Sequence, residues 1–116
     1  MTIKAATAHE VKGYCLHKPG AWADEPWEGD VVAKVGSKIF AFLGEDSIGV
    51  KCGKGWAEAD EWIEEFPDDV TVSPYIGRHG WNVLRLGGAI PVEALVEAID
   101  TSYDLVVATL PKSQRP

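Results

Sequence analysis

The sequence is poor in cysteine, and this removes two kinds of site from consideration. Cys15 and Cys52 form no CxxC pair and have no pair of histidines nearby, so neither a zinc site nor a thiol redox motif is indicated. A disulfide between the two is one alternative. Free, buried thiols are the other, and we favour it because cysteine is commonly buried and a cytosolic chain keeps its thiols reduced.

Long apolar runs are also missing. Among the longest is "LVVATL", from Leu105 to Leu110, which is far shorter than the ~20 residues that a membrane-spanning helix needs. The beginning, "MTIKAATAHE", lacks the apolar stretch and cleavage site of a signal peptide. We therefore expect a single cytoplasmic domain over residues 1–116 without a membrane partner, and the 46% hydrophobic content suits one core.

Positive charge is scarce: 11 lysines and arginines stand against 18 carboxylates, for a net charge of -7. Seven carboxylates occupy one stretch without a lysine or arginine, and we call them the acidic block: Glu58, Asp60, Glu61, Glu64, Glu65, Asp68 and Asp69. The rest of the chain is balanced, so a local basic patch is compatible with the composition, but general attraction to phosphate is not. We expect the acidic block to be a solvated helix face rather than a metal site.

Motifs that carry catalysis or hold cofactors are absent from the sequence. There is no Gly-rich phosphate loop, no Cys/His cluster and no serine in a nucleophile elbow. A cysteine paired with His79 stays open as an alternative, because such pairs meet only in the folded chain. We predict a protein that is not an enzyme and that has no cofactor and no metal.

Local patterns in the first half predict one helix followed by strands. Thr7 and Glu10 have the spacing of a capping box, which starts a helix over about 7–18. The next ten residues, "AWADEPWEGD", are rich in proline, glycine and carboxylates and are predicted as a loop. "VVAKV" and "KIFAFL", joined by Gly36 and Ser37, predict a hairpin, and "IGVKC" predicts a third strand.

The second half predicts a short amphipathic helix at "AEADEWIEEF", strands at "VTVS" and "WNVLRL", and a long helix over about 91–110. Alternation along the second of these strands places Trp81, Val83 and Arg85 on one face. The tail "KSQRP" is predicted to fray. This order of elements predicts an α+β domain with a five-stranded antiparallel sheet, the first and last helices packed on one face and the other face partly open.

The ordered combination of "KPGAWADEPW", "KVGSKIFAFL", "IGVKC", "SPYIGRHGWNVLRL" and "SYDLVVATLPK" covers most of the chain. In this combination the chain resembles the MmcQ/YjbR family of small bacterial proteins with a frataxin-like (CyaY-like) fold. The resemblance implies an α-β-α sandwich with an antiparallel sheet. It also brings a DNA-binding label, which rests largely on analogy of fold.

Eight residues are candidates for a nucleic-acid or ligand site, because cations beside aromatic rings can contact phosphates and stack on bases. They are Lys34, Lys38, Lys51, Tyr75, Arg78, His79, Trp81 and Arg85. The alternative is that these lysines are ordinary solvated residues on strand edges and that Trp81 packs against the sheet or a helix. Lys34 and Lys38 are further expected to be neighbours across the hairpin.

Two functional hypotheses follow from the sequence. The chain is either a binding domain for nucleic acid, with weak affinity, or a protein-interaction domain that uses its acidic helix and open sheet face. In both cases we expect a monomer or weak dimer. The two hypotheses differ in whether six cations, the five above together with Lys54, converge on a surface away from the acidic block.

Overall fold

The structure, a computed structural model, describes residues 3–74 and 76–116. These residues form three α-helices, six strands and two short 3₁₀ helices. In chain order they are α1 (Ala8–Leu16), β1 (Ala21–Trp27), β2 (Asp30–Val35), β3 (Lys38–Leu43), β4 (Ser47–Lys51), α2 (Trp56–Glu65), β5 (Val70–Val72), a 3₁₀ turn (Gly77–His79), β6 (Trp81–Arg85), α3 (Val92–Thr109) and a 3₁₀ turn (Lys112–Gln114).

The strands form one antiparallel sheet in the order β1-β2-β3-β4-β6-β5. The prediction of five strands is wrong by one, because the segment predicted as a loop after α1 is the edge strand β1. Its Pro26 and its carboxylates are tolerated there, since an edge strand has one side that donates no ladder hydrogen bonds. The register of β1 against β2 also shifts between Asp24 and Trp27, where the proline lies.

The hairpin between β2 and β3 is confirmed. Val35 pairs directly with Lys38, and Gly36 has a φ of 58°, a value that favours glycine in a two-residue turn. Farther along, the register shifts between Ala33 and Lys34, so that Phe40 is an extra residue in β3. The pairing next to the turn, before this bulge, decides which lysines share a face, because Lys38 pairs with Val35 and Lys34 pairs with Ile39.

Helix α1 begins at the predicted cap. The Thr7 Oγ1 accepts a hydrogen bond from the Glu10 N–H at 3.2 Å. The Glu10 carboxylate accepts the N–H groups of Lys4 and Ala5, at 3.0 and 2.6 Å, and so ties the preceding segment to the helix. Helix α3 also occupies its predicted range to within a residue or two.

All three helices pack against the same face of the sheet. The core on this face contains side chains of α1, α3 and the strands, and Trp62, Ile63 and Phe66 at the end of α2 pack against it. The fold is therefore a two-layer α+β arrangement with a six-stranded sheet, which corrects the three-layer α-β-α sandwich implied by the frataxin-like resemblance. The fully buried members include Val11, Cys15, Val35, Phe40, Ala41, Val50, Leu84, Leu95 and Ile99.

The C-terminal tail is held in place, contrary to the predicted fraying. The Gln114 Oε1 accepts hydrogen bonds from the backbone N–H and the hydroxyl of Ser37, at 3.0 and 2.9 Å. The Arg115 guanidinium donates to carbonyl groups at the end of α3. Within the described residues, no helix has both the length and the apolar character to cross a membrane.

Candidate functional site

The candidate site begins on the sheet face opposite the helices, which we call the open face. Residues of β6 alternate between buried and accessible positions, so Trp81 and Val83 point away from the helical layer. Their direct partners on β4 are Lys51 and Gly49, and Phe42 of β3 pairs with Gly49. Directly opposed residues share a face, so these five side-chain positions are adjacent on the open face.

A cleft of about 280 Å³ lies at the end of the sheet where β3 begins, β4 ends and β6 begins, next to the last turns of α3. We call it the cation cleft. The described residues that line it include no carboxylate. They are Lys38, Ile39, Lys51, His79, Trp81, Leu105, Val106 and Thr109.

Lys51 is the more buried of the two lysines in the cation cleft. Its ammonium Nζ donates to the backbone carbonyl of His79 at 2.7 Å, and within the described residues it forms no ion pair. Burial lowers the pKa of the Lys51 ammonium below its ordinary value, because desolvation disfavours the charged form. An anion in the cleft would supply the missing countercharge.

Lys38 approaches the cleft from the other side. Its Nζ donates to the Oγ1 of Thr109 at 3.0 Å and to the carbonyl of Thr109 at 3.4 Å. These atoms lie at the end of α3, where unpaired carbonyls carry partial negative charge and favour a cation. Among the described residues the Lys38 ammonium is thus held by uncharged groups and forms no ion pair.

The turn from Gly77 to Gly80 adds Arg78 and His79, both of which are exposed. The Arg78 Nε donates to the Nε2 of His79 at 3.2 Å. Gly80 has a φ of 88°, and a Cβ there would lie 2.2 Å from the Gly53 carbonyl oxygen. The close approach fixes this turn against the loop after β4, so the backbone carbonyl that holds Lys51 has a defined position.

Trp81 forms a wall of the cation cleft and is only partly buried. Its ring contacts the Phe42 ring edge to face, with centroids 5.6 Å apart and planes at 73°. This geometry is favourable for an aromatic pair. Trp81 therefore packs on the sheet, as the sequence favoured, but on the open face, where part of the ring stays accessible to a ligand.

Not all predicted cations reach the cleft. Lys34 lies over the Trp22 ring, 5.1 Å from its centroid, and its Nζ is 2.7 Å from the Asp24 carboxylate. Arg85 is at the far end of β6, 3.7 Å from the Asp69 carboxylate. Lys54 is exposed in the loop before α2. Tyr75 lies outside the described residues, so its predicted role stays a prediction.

The expectation that Lys34 and Lys38 are neighbours is wrong. Lys34 stands between the core residues Ala33 and Val35 and points to the open face. In the two-residue hairpin Val35 pairs with Lys38 and Lys34 pairs with Ile39, so Lys38 shares the face of Val35 and turns toward α3. The two ammonium groups are consequently on opposite sides of the sheet.

Most of the acidic block is exposed on or after α2, as predicted, but Asp69 is buried. Its Oδ2 accepts the Ala89 N–H at 2.8 Å, and a Cβ on Gly88 would lie 2.3 Å from its Oδ1. Asp69 therefore has a structural role in the turn after β6. Among the described residues no three His, Cys, Asp or Glu side chains are grouped to hold a metal ion.

The two cysteines are free and buried, which confirms the favoured expectation. Burial raises the pKa of each thiol, Cys15 and Cys52, to about 12. A thiol with such a pKa stays protonated at neutral pH and is a poor nucleophile. This argues against a catalytic pair of Cys52 with His79.

The YjbR family model matches residues 16–105 of the chain, which confirms the resemblance drawn from the motifs. No curated protein matches it. The fold is similar to that of the Deinococcus radiodurans protein DR2400, a DUF419 domain known from its crystal structure. The TM-score is 0.83 at 20% identity, and the alignment covers 98% of this chain and 88% of that chain. The likeness shows that the two proteins share a fold.

Proposed function

The chain belongs to the YjbR family, and we propose that it is a small non-enzymatic binding domain that holds nucleic acid weakly through phosphates in the cation cleft. One observation carries the proposal. The ammonium groups of Lys38 and Lys51 reach a single cleft that no carboxylate lines among the described residues. Arg78 stands beside this cleft through its contact with His79.

The energetic argument rests on Lys51. The Lys51 ammonium is partly buried and, among the described residues, donates only to a carbonyl, so it has lost hydration without gaining an opposite charge. A phosphate oxygen at this position would form a charge-assisted hydrogen bond, which is stronger than a neutral one. The Lys51 ammonium is therefore a favourable position for an anion.

The affinity should be low and tolerant of sequence. Three cations near the cleft can contact about three phosphates, and contacts to phosphate carry no sequence information. Arg85 was also predicted to contact phosphate, but it lies at the far end of β6 and does not line the cleft. Counterion release by about three contacts gives a log-log dependence on salt with a slope of roughly -2 for single strands and -3 for duplex.

The test is a titration of a fluorescently labelled strand at low salt, read by anisotropy. We expect Lys51→Met and Lys38→Met each to weaken binding several-fold and to make the salt dependence shallower by about one contact. The matched control is Lys12→Met, which removes the same charge from an exposed position on α1. Equal loss in all three variants would mean that only net charge matters, and the proposed site would be wrong.

A protein-interaction domain is the second candidate, supported by the exposed surface of α2. Trp56 at the start of this helix is 51% exposed and lies beside carboxylates of the acidic block. A basic, partly apolar partner would suit this surface. Replacing Glu61, Glu64 and Glu65 by glutamine distinguishes the candidates, because it should strengthen binding of nucleic acid and weaken binding of a basic partner.

A further inference from the structure

The open face carries a second cleft, of about 330 Å³, which we call the apolar cleft. Its floor is formed by Phe42, Gly49 and Val83, from three adjacent strands. Asp30 and Ser47 are among its lining residues. The cleft is therefore an apolar floor with a few hydrogen-bonding groups at its edge, a combination typical of small-molecule sites.

The two clefts adjoin each other. Phe42 lines the apolar cleft, Trp81 lines the cation cleft, and their rings are in edge contact. Gly49 and Lys51 are two positions apart on β4, so they lie about 7 Å apart on the same face. A ligand that places an anion at Lys51 can thus place its next group over Gly49.

Gly49 makes the apolar floor possible. A Cβ at this position would lie 3.2 Å from the Cβ and from a ring carbon of Phe42. The Phe42 ring therefore rests against the strand where the side chain is missing. The ring thus forms part of the floor of the apolar cleft.

The chemical character of the two adjoining clefts changes from one end to the other. One end offers two ammonium groups, the middle offers aromatic rings, and the far end offers the Asp30 carboxylate, which forms no ion pair within the described part of the chain. A nucleotide has the matching order of groups: an anionic phosphate, a flat base with an apolar face, and amino groups that donate hydrogen bonds at the base edge. A ligand that was anionic throughout would meet Asp30 with like charge.

We infer that the cation cleft and the apolar cleft form one site for single-stranded nucleic acid, with a base in the apolar cleft beside Phe42 and the adjoining phosphate at Lys51. This inference rests on the proposed function and adds to it a preference for single strands. A duplex keeps its bases stacked inside, so it can offer phosphates to the cation cleft but no base to the apolar cleft.

The experiment uses three ligands of equal length at low salt: a single strand, the same strand with abasic sugars, and a duplex. Stacking of one base should make the single strand bind roughly tenfold more tightly than the abasic strand. The variant Phe42→Leu should abolish this difference. Trp22→Leu is the matched control, because Trp22 is an aromatic residue of the same sheet that lines neither cleft.

Amide chemical shifts of the unmodified protein provide a readout that does not depend on the stability of a variant. We expect Gly49 and Val83 to shift with the single strand but not with the abasic strand, and Lys51 to shift with both. Equal affinity for the two strands would overturn the inference and leave the proposed function standing. If no strand binds, both are wrong. Tighter binding of the single strand with shifts elsewhere would also overturn it.

Discussion

Ser102 of α3 replaces a missing rung of the sheet ladder, and its removal gives a sharp test of how the site is built. Strands β3 and β4 pair from Leu43 with Ile48 to Ala41 with Val50, and the pairing stops there. At the next position the Ser102 hydroxyl donates to the Phe40 carbonyl at 2.6 Å and accepts the Lys51 N–H at 2.9 Å. One hydroxyl therefore connects a helix to two strands at the point where their direct pairing ends.

The expected loss of stability follows from the two backbone groups that would lose a hydrogen-bond partner, the Phe40 carbonyl and the Lys51 N–H. Ser102 is fully buried, so the variant Ser102→Ala admits no water in its place without rearrangement. A buried backbone group left without a hydrogen bond costs about 1 to 3 kcal/mol. We therefore expect Ser102→Ala to lower the free energy of unfolding by about 2 to 4 kcal/mol, which is a large share of the stability of a small domain.

The assay is equilibrium unfolding in urea, with the free energy taken by linear extrapolation. Ser113→Ala is the matched control, since Ser113 lies in the exposed tail, and it should change the free energy by less than about 0.5 kcal/mol. If Ser102→Ala costs no more than the control, the hydroxyl bridge does not support the strands. The account of how Lys51 is positioned would then be wrong.

Two further predictions concern the same end of the sheet. Gly80→Ala should destabilise the fold by about 1 to 3 kcal/mol, because the residue has a positive φ and the added Cβ would clash with the Gly53 carbonyl. An unchanged melting temperature would contradict the described turn. For Lys51, burial lowers the pKa of the ammonium in the folded protein, so at high pH the unfolded chain binds more protons than the folded one. The contribution of this residue to stability should therefore rise as the pH increases toward about 10.4, the pKa of an unperturbed lysine. The unfolding free energies of the unmodified chain and of Lys51→Met, measured from pH 8 to that value, should therefore shift in favour of the unmodified chain; a shift in the opposite direction would refute the burial argument.

Local patterns in the sequence were sufficient for most of the fold. The cap at Thr7, the turn at Gly36 and the apolar spacing of α3 each depend on neighbouring residues, and all three appear in the structure. Strand β1 was missed because pairing with β2, and not its own composition, makes it a strand. Pro26 and the carboxylates are acceptable only at an edge, and the edge position is a property of the whole sheet.

The site was less predictable than the fold for a related reason. The sequence identified Lys38, Lys51, His79 and Trp81, which do line one cleft. It grouped Lys34 with them because Lys34 and Lys38 flank one hairpin, but the pairing of Val35 with Lys38 across the two-residue turn puts these lysines on opposite faces. The apolar wall from α3 could not be foreseen, because it depends on where a helix more than fifty residues later docks on the sheet.

The charge distribution explains why a small basic cleft can act in an acidic protein. The net charge of -7 repels nucleic acid at long range, whereas Lys38 and Lys51 attract phosphate at contact. At physiological ionic strength the Debye length is about 8 Å, so carboxylates farther from the ligand than this are largely screened, while a phosphate in contact with the cleft lysines keeps most of its attraction. Added salt therefore has two opposite effects: it weakens binding through counterion release and relieves repulsion by the acidic block. The measured salt slope should consequently be shallower than the number of phosphate contacts alone requires, and it should steepen when the carboxylates of α2 are replaced by amides.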